Sequence, residues 1–281
     1  MPHRSPRKDR IALRVALFQV ASPDDESVVD RIQRVGAAIT GESQLRQADL
    51  LVLPELWHVG YFAFDHYASA AETLTGPTVT AAKDWAKALG LFVHLGSVVE
   101  VDEQGRLYNT AMVVDPDGAI RATYRKVHVF GYGSREQELL TPGDAVTVTP
   151  VAGLPTGITT CYDLRFPELF RSMADAGAEM LAICSGWPAA RLAHWRLFTS
   201  VRAVEQQSWL VACNAVGTQQ GVALAGHSRI VDPWGEVIVE AGTDEGFTVA
   251  ELDPTLPRRV RAEFPALADR RWPAVPIRVE S

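Results

Sequence analysis

The segment GITTCYDLRFPEL, residues 157–169, decides how the chain is read. A β-branched run ends at Cys161, and Pro167, well suited to the first turn of a helix, follows shortly after. A strand that turns into a helix within so few residues holds its corner cysteine on a tight turn. The sulfur then stands at the end of a sheet with backbone N–H groups beside it, the geometry a nucleophile and its oxyanion hole require. A packed thiol is the other reading, because cysteine is among the most buried residue types. Cys184 in LAICSG and Cys213 in LVACNA lie inside apolar runs and read as core.

Outward from that corner, short apolar runs alternate with amphipathic stretches. Residues 26–48 are predicted as one helix, and the turns DEQGR, DPDG and PWG favour antiparallel pairing of the runs they join. A prior of ~150 residues per domain would divide 281 residues in two, yet there is no linker, repeat or low-complexity tract. One folded domain is therefore expected over 13–253. Residues 1–12 read as a disordered tail. Residues 254–281, rich in proline, read as an extended tail packed on the domain or on a partner subunit. Many strands with about four helices predict a layered α/β sandwich with mixed β-sheets.

Hydrophobic residues at 47% and charged residues at 22% are ordinary for a globular chain. The balance of 27 basic against 34 acidic residues, net −7, excludes a binder of nucleic acid or anionic membrane that works through its overall field. No apolar run reaches the ~18 residues of a membrane span. The basic start MPHRSPRKDR precedes an apolar run as in a leader, but Arg14 interrupts that run and Asp24, Asp25 and Glu26 follow it, so a signal peptide is not expected. Three cysteines without CxxC spacing suggest neither disulfides nor a metal site, and they suit a cytoplasmic protein.

Two further residues join Cys161. LVLPE places Glu55 just past a buried strand, where desolvation raises a carboxyl pKa and makes it a usable proton acceptor. YRKVHVF places Lys126 at another strand end, where an ammonium can stabilise an oxyanion and favour a thiolate. Each alone reads more readily as an ordinary surface charge. Together, all three sit at the carboxyl ends of predicted strands, where α/β folds build sites. A Cys–His–Asn arrangement using Cys161, one of His128, His194 or His227, and Asn214 would leave LPE and RK without a role.

LPE (53–55), YRKVH (124–128) and CYDLRFPE (161–168), in that order, resemble the Glu–Lys–Cys motifs of the nitrilase superfamily of carbon–nitrogen hydrolases. SGWP (185–188), RAVEQQSW (202–209), CNAVG (213–217) and HSRIVDPWGEVI (227–238) extend the resemblance over roughly residues 14–253. It implies a four-layer α-β-β-α sandwich that pairs into a homodimer or higher homo-oligomer, and hydrolysis through a thioester without metal or cofactor. By the resemblance, Glu55 takes the Cys161 proton, while Lys126 and the backbone N–H of Tyr162 stabilise the oxyanion. A second glutamate should precede the PGD turn at 142–144. Glu136 and Glu138 both do, and the family spacing favours Glu136.

Tyr162 and Asp163 after the cysteine resemble the amidase and ω-amidase branch rather than true nitrilases. N-carbamoyl-amino-acid hydrolases carry two basic residues where this chain has Leu164 and then Arg165. Arg165 is read as a binder of a substrate carboxylate or, more commonly, as a structural group paired with acids near the site. Tyr61, Phe62 and Trp187 are the candidate pocket wall. The expected activity is cleavage of a non-peptide C–N bond in a small linear amide, giving carboxylate and ammonia. A nitrilase, a carbamoyl hydrolase and a catalytically silent binding protein of the same fold are the alternatives. The helix at 167–176 and the tail from 254 are the candidate interfaces between copies.

Overall fold

Alternation along the first strand sets up the layers. In β1 (Leu13–Gln19), Val15 and Leu17 enter one core while Ala16 and Phe18 enter another, as the two-residue period of a strand dictates. A computed structural model describes residues 12–271, so the tail expected over 1–12 lies almost wholly outside the described residues. After β1 come α1 (Val28–Gly41), β2 (Leu50–Val52), α2 (Tyr67–Ala70), α3 (Pro77–Leu89), β3 (Phe92–Val101), β4 (Leu107–Val114) and β5 (Ile120–Arg125). The second half runs α4 (Glu136–Leu139), β6 (Thr147–Val151), β7 (Leu154–Thr160), α5 (Pro167–Asp175), β8 (Met180–Ser185), α6 (Leu192–Gln206) and β9 (Trp209–Asn214). A small hairpin of β10 (Thr218–Gln219) and β11 (Val222–Ala223) precedes β12 (Arg229–Val231), β13 (Val237–Glu240), β14 (Gly246–Leu252) and α7 (Leu256–Glu263).

Two six-stranded sheets result, ordered β14-β1-β2-β3-β4-β5 and β13-β12-β9-β8-β7-β6. Each has parallel central strands, β1-β2-β3 in one and β7-β8-β9 in the other, flanked by antiparallel ones, so both are mixed as expected. Val15, Leu17 and Val113 of the first sheet share a core with Ile158 and Ile183 of the second. Outside the first sheet, Val35 and Ile39 of α1 and Val79 and Ala82 of α3 cover Ala16 and Phe18. Leu169 and Phe170 of α5 and Trp195 and Ala203 of α6 cover the second. The architecture is the α-β-β-α sandwich.

Two expectations are corrected. The helix predicted over 26–48 begins at Val28, capped by Ser27, and stops at Gly41; Glu42 turns extended and accepts a hydrogen bond from the amide of Gln44, opening a 3-10 turn at Ser43–Gln47. Nor are residues 254–271 simply extended; the rest of that expected tail, 272–281, lies outside the described residues. Pro257 sits in the first turn of α7, where a missing N–H is harmless, and Pro257 and Val260 are buried. The guanidinium of Arg261 donates to the carbonyls of Ala178 and Gln206 and to the hydroxyl of Ser208, so the folded domain continues past 253. No helix among the described residues is long and apolar enough to cross a membrane.

One glycine ties this frame to the end of β2. Gly96 in β3 has φ +76, and a Cβ on it would lie 1.8 Å from the Pro54 carbonyl oxygen. Gly96→Ala must therefore displace Pro54 and the residue after it. Denaturant titration should show a loss of roughly 2–4 kcal/mol; unaltered stability would mean that the β2 end yields freely.

Candidate active site

Strand ends bring the site together. Glu55 lies just beyond β2, followed by Leu56 at φ +44, whose amide donates to Ser97 Oγ at 3.1 Å. The Glu55 amide donates to the Ser185 carbonyl at 3.4 Å, joining the first sheet to the end of β8 in the second. Lys126 follows β5, its amide on the Asn109 carbonyl at 2.8 Å and its own carbonyl accepting from Gly143 at 2.8 Å. Cys161 follows β7 at φ +48, a left-handed conformation that costs a residue bearing a Cβ about 1–2 kcal/mol.

Asp163 over-determines that turn. Its Oδ2 accepts from the Thr160 amide at 3.0 Å and from the Tyr124 hydroxyl at 2.7 Å. Its Oδ1 accepts from the His128 amide at 3.1 Å and lies 2.8 Å from the His128 ring Nδ1. The Asp163 amide in turn donates to the Thr160 side chain, completing a capping box around the strained corner.

At the centre is the buried Lys126 ammonium. Its Nζ donates to Glu55 Oε1 at 2.8 Å and to both carboxylate oxygens of Glu136 at 2.9 Å. Asn109 Nδ2 spans the two acids, 2.8 Å from Glu55 Oε1 and 3.0 Å from Glu136 Oε1. The Gly186 amide holds Glu55 Oε2 at 2.9 Å, and the Phe130 amide holds Glu136 Oε2 at 2.7 Å. The Glu55 carboxylate, the Lys126 ammonium and the Ser185 side chain are the polar groups that bear on the Cys161 thiol. Of the two candidate glutamates, Glu136 is the one in this cluster; Glu138 is exposed and pairs with Arg135.

Burial decides the protonation states. It pushes the Glu55 carboxyl above its ordinary range, helped by the Glu136 charge and opposed by Lys126. Burial and then the neighbouring Glu55 raise the Cys161 thiol well above the usual thiol value, again against Lys126. For Lys126, burial works against the charge, but Glu136 and Glu55 outweigh it and the ammonium is held firmly. Cys161 thus rests as a neutral thiol beside a carboxylate of raised proton affinity. Such a pair can exchange a proton in either direction.

The thiol opens onto a small pocket walled by Tyr61, Phe62, Phe130, Tyr162 and Trp187. The volume open to water centres is ≈ 20 Å³, room for one or two waters. All three expected wall residues are in place, and Tyr61 also reaches the ion cluster, its hydroxyl donating to Glu136 Oε2 at 3.2 Å. Arg165 also lines the pocket, but not as a residue paired with acids. It lies 5.0 Å over the Trp187 ring and 5.2 Å over Phe198, with His194 Nδ1 at 3.3 Å. The histidines weighed as alternative bases are engaged elsewhere, His128 with Asp163 and His227 with Glu240. Asn214 serves the backbone, accepting from the Trp187 amide and donating to the Gly226 carbonyl.

Sequence reading missed Asn109, Ser185 and Asp163 as parts of the site. A polar Asn–Thr pair inside the apolar run LYNTAMVV was the available signal for the first.

Comparison with known proteins agrees with this geometry. Residues 14–262 match the sequence profile of the family described as Carbon-nitrogen hydrolase. A 2-oxoglutaramate amidase of Paenarthrobacter nicotinovorans is 38% identical over 266 residues, covering 92% of this chain and 90% of that protein. The crystal structure of Saccharomyces cerevisiae Nit3, a member of branch 10 of the nitrilase superfamily, is 29% identical with a TM-score of 0.84, covering 93% of this chain and 97% of that one. An amidase from Nesterenkonia sp. AN1, 25% identical with a TM-score of 0.78 over 96% of this chain and 97% of that one, was solved with the acetamide moiety of fluoroacetamide on its active-site cysteine.

The charges around the thiol make its reactivity testable directly. Alkylation of Cys161 by iodoacetamide, followed by mass spectrometry across pH, should rise only above the ordinary thiol range. Lys126→Gln removes the cation that favours the thiolate and should move the midpoint higher; Glu55→Gln removes a repelling anion and should move it lower. A Lys126→Gln midpoint at or below that of the wild type would contradict this electrostatic account.

Proposed function

The chain belongs to the carbon–nitrogen hydrolase family, and from that premise we propose that it is an amidase that releases ammonia from a small linear amide through a thioester on Cys161. The observation that carries the reading is the Lys126 ammonium clasped by Glu55 and Glu136 beside a cysteine on a strained turn. Glu55 takes the thiol proton as sulfur attacks the amide carbonyl, and the carbonyl π electrons move onto oxygen. Lys126 and the backbone N–H of Tyr162 receive that oxyanion.

Proton transfer frees the lysine to do so. Once protonated, Glu55 pulls less on the ammonium, which can turn one of its donors to the oxyanion while Glu136 keeps its position. The buried net charge does not change, because the negative charge moves from Glu55 to the substrate oxygen. On collapse the C–N bond breaks, and the nitrogen leaves as ammonia with the Glu55 proton. Glu55 then deprotonates a water that attacks the thioester. The sulfur leaves and recovers the proton from Glu55, and the carboxylic acid is released. Asn109, across both acids, and Ser185, whose carbonyl accepts from the Glu55 amide, hold these groups in place.

The protein is further proposed to act in the cytoplasm as a homodimer. Leu197 and Val204 of α6, with Trp234, Ile238 and Phe264, are large exposed apolar side chains. Trp234 and Phe264 lie 6.2 Å apart, and Val204 borders Gly235, so these three adjoin one another. A second copy related by a two-fold axis would cover it. Phe264 belongs to the C-terminal segment already expected at an interface, and α6 is proposed to contribute beside the 167–176 helix.

An assay of ammonia release tests the chemistry. Cys161→Ala should abolish turnover, and Lys126→Gln should reduce it roughly 10²–10³-fold with the fold intact; ammonia release undiminished in Cys161→Ala would sink the mechanism. Light scattering at micromolar concentration should give twice the chain mass, and a stable monomer would remove the dimer.

A further inference from the structure

Resting on the amidase reading, we infer that Asp163 is a positioning residue, which fixes the separation of Lys126 and Cys161 during turnover. The two groups arrive from different sheets, Lys126 after β5 of the first and Cys161 after β7 of the second. The Lys126 ammonium donates to Glu55 and Glu136, and its backbone bonds Asn109 and Gly143. Among the described residues, its own hydrogen bonds therefore stop short of the cysteine turn. A single carboxylate beside them bridges the gap.

Asp163 receives bonds from either side of Lys126. Tyr124, two residues before the lysine, gives its hydroxyl to Oδ2 at 2.7 Å, and His128, two residues after it, gives its amide to Oδ1 at 3.1 Å. Thr160, directly before Cys161, gives its amide to Oδ2 at 3.0 Å, while Asp163 itself follows the cysteine by two residues. The Tyr124 hydroxyl also accepts from the Val127 amide at 3.2 Å, which draws in the residue next to the lysine. Lysine and cysteine are each bracketed, and both brackets close on one buried carboxylate.

A buried carboxylate persists only where donors answer its charge, and here neither loop supplies all of them. Burial and then the Asp163 charge raise the Tyr124 hydroxyl far above its ordinary range, so it remains a donor. The His128 ring adds a contact, its Nδ1 2.8 Å from Oδ1, and stacks at 3.6 Å on Phe166 at the end of the cysteine turn. Phe166 meets the Tyr162 ring edge-on at 5.2 Å, next to the amide proposed to receive the oxyanion. Asp163 is not among the residues lining the pocket, so it acts through the groups it holds. Misplacing an oxyanion donor by ~1 Å can cost ~10²-fold in rate, which places the effect in kcat.

Steady-state ammonia release is to be measured with whichever of succinamate, glutaramate and butyramide the wild type cleaves fastest. Asp163→Asn is nearly isosteric but sets an NH2 against either the Thr160 and Tyr124 donors or the His128 amide. It should lower kcat roughly 10²-fold with KM held within about 3-fold. Tyr124→Phe and His128→Leu should each lower kcat roughly 3- to 10-fold. His128→Asn, whose side-chain amide can donate where Nδ1 stands, should recover most of the His128→Leu loss. In an Asp163→Asn background, Tyr124→Phe and His128→Leu should lower kcat no further, because their shared acceptor is already lost.

Wild-type kcat in Asp163→Asn, or a loss carried by KM alone, would overturn the positioning role and leave the amidase reading intact. Losses that multiply in full in the double variants would mark independent structural supports and overturn it equally. Should Asp163→Asn fail to fold, unchanged kcat in both Tyr124→Phe and His128→Leu would overturn it. No ammonia from any of the three amides with the wild type would overturn both.

Discussion

The structure depends on one buried ammonium. An amine in a dry interior is costly unless its charge is met, and Lys126 meets three carboxylate oxygens within 2.9 Å. The dependence is mutual. Without the lysine, Glu55 and Glu136 would be two carboxylates sharing one buried space, joined only by the Asn109 amide. Since Glu55 comes from the end of β2, Lys126 from the end of β5, Asn109 from β4 and Glu136 from the start of α4, the ion cluster also pins four segments of the first half of the chain together. What makes the cluster reactive is its imbalance: two acids face one base, so one carboxylate keeps an unusually high proton affinity.

That cluster would be inert without the second sheet. Cys161 arrives from β7, and its approach needs a backbone conformation that a residue with a Cβ resists. The resistance is overcome by Asp163, whose two oxygens together have four polar partners and whose side chain is fully buried. Leu56, next to Glu55, is left-handed as well. Base and nucleophile therefore both sit at corners where the strand direction breaks. Strain is placed at the chemistry and supported by the surrounding hydrogen bonds, in keeping with strained backbone at functional sites generally.

The same corners explain which parts were readable in the sequence. Glu55 and Cys161 are flagged locally, by Pro54 before one and Pro167 after the other, because a strand that stops abruptly needs a residue that stops it. The layered core was readable because short, wholly apolar runs such as VALF (15–18) alternate with amphipathic stretches, and a strand apolar on both faces must be covered on both. Asn109 was not readable in this way: its importance comes from lying across the ends of β2 and α4, a relation that no local pattern encodes. The end of the chain misled for a different reason. Prolines at 254 and 257 read as breakers, yet a proline in the first turn begins a helix, and whether α7 forms depends on Val260 finding a buried place. The absence of an acid beside Arg165 was likewise invisible until the neighbours on α6 were placed.

Charge is distributed along the pocket in a way that composition conceals. The chain carries a net −7, yet the pocket lining includes two cations, Arg165 and Arg191, and the cluster of Glu55, Glu136 and Lys126 bears on the thiol that opens into it. Composition sums charge over the whole chain, whereas a buried site answers to the few groups within reach of it. One ammonium held between two carboxylates therefore governs the thiol, and the total of −7 carries no information about that balance.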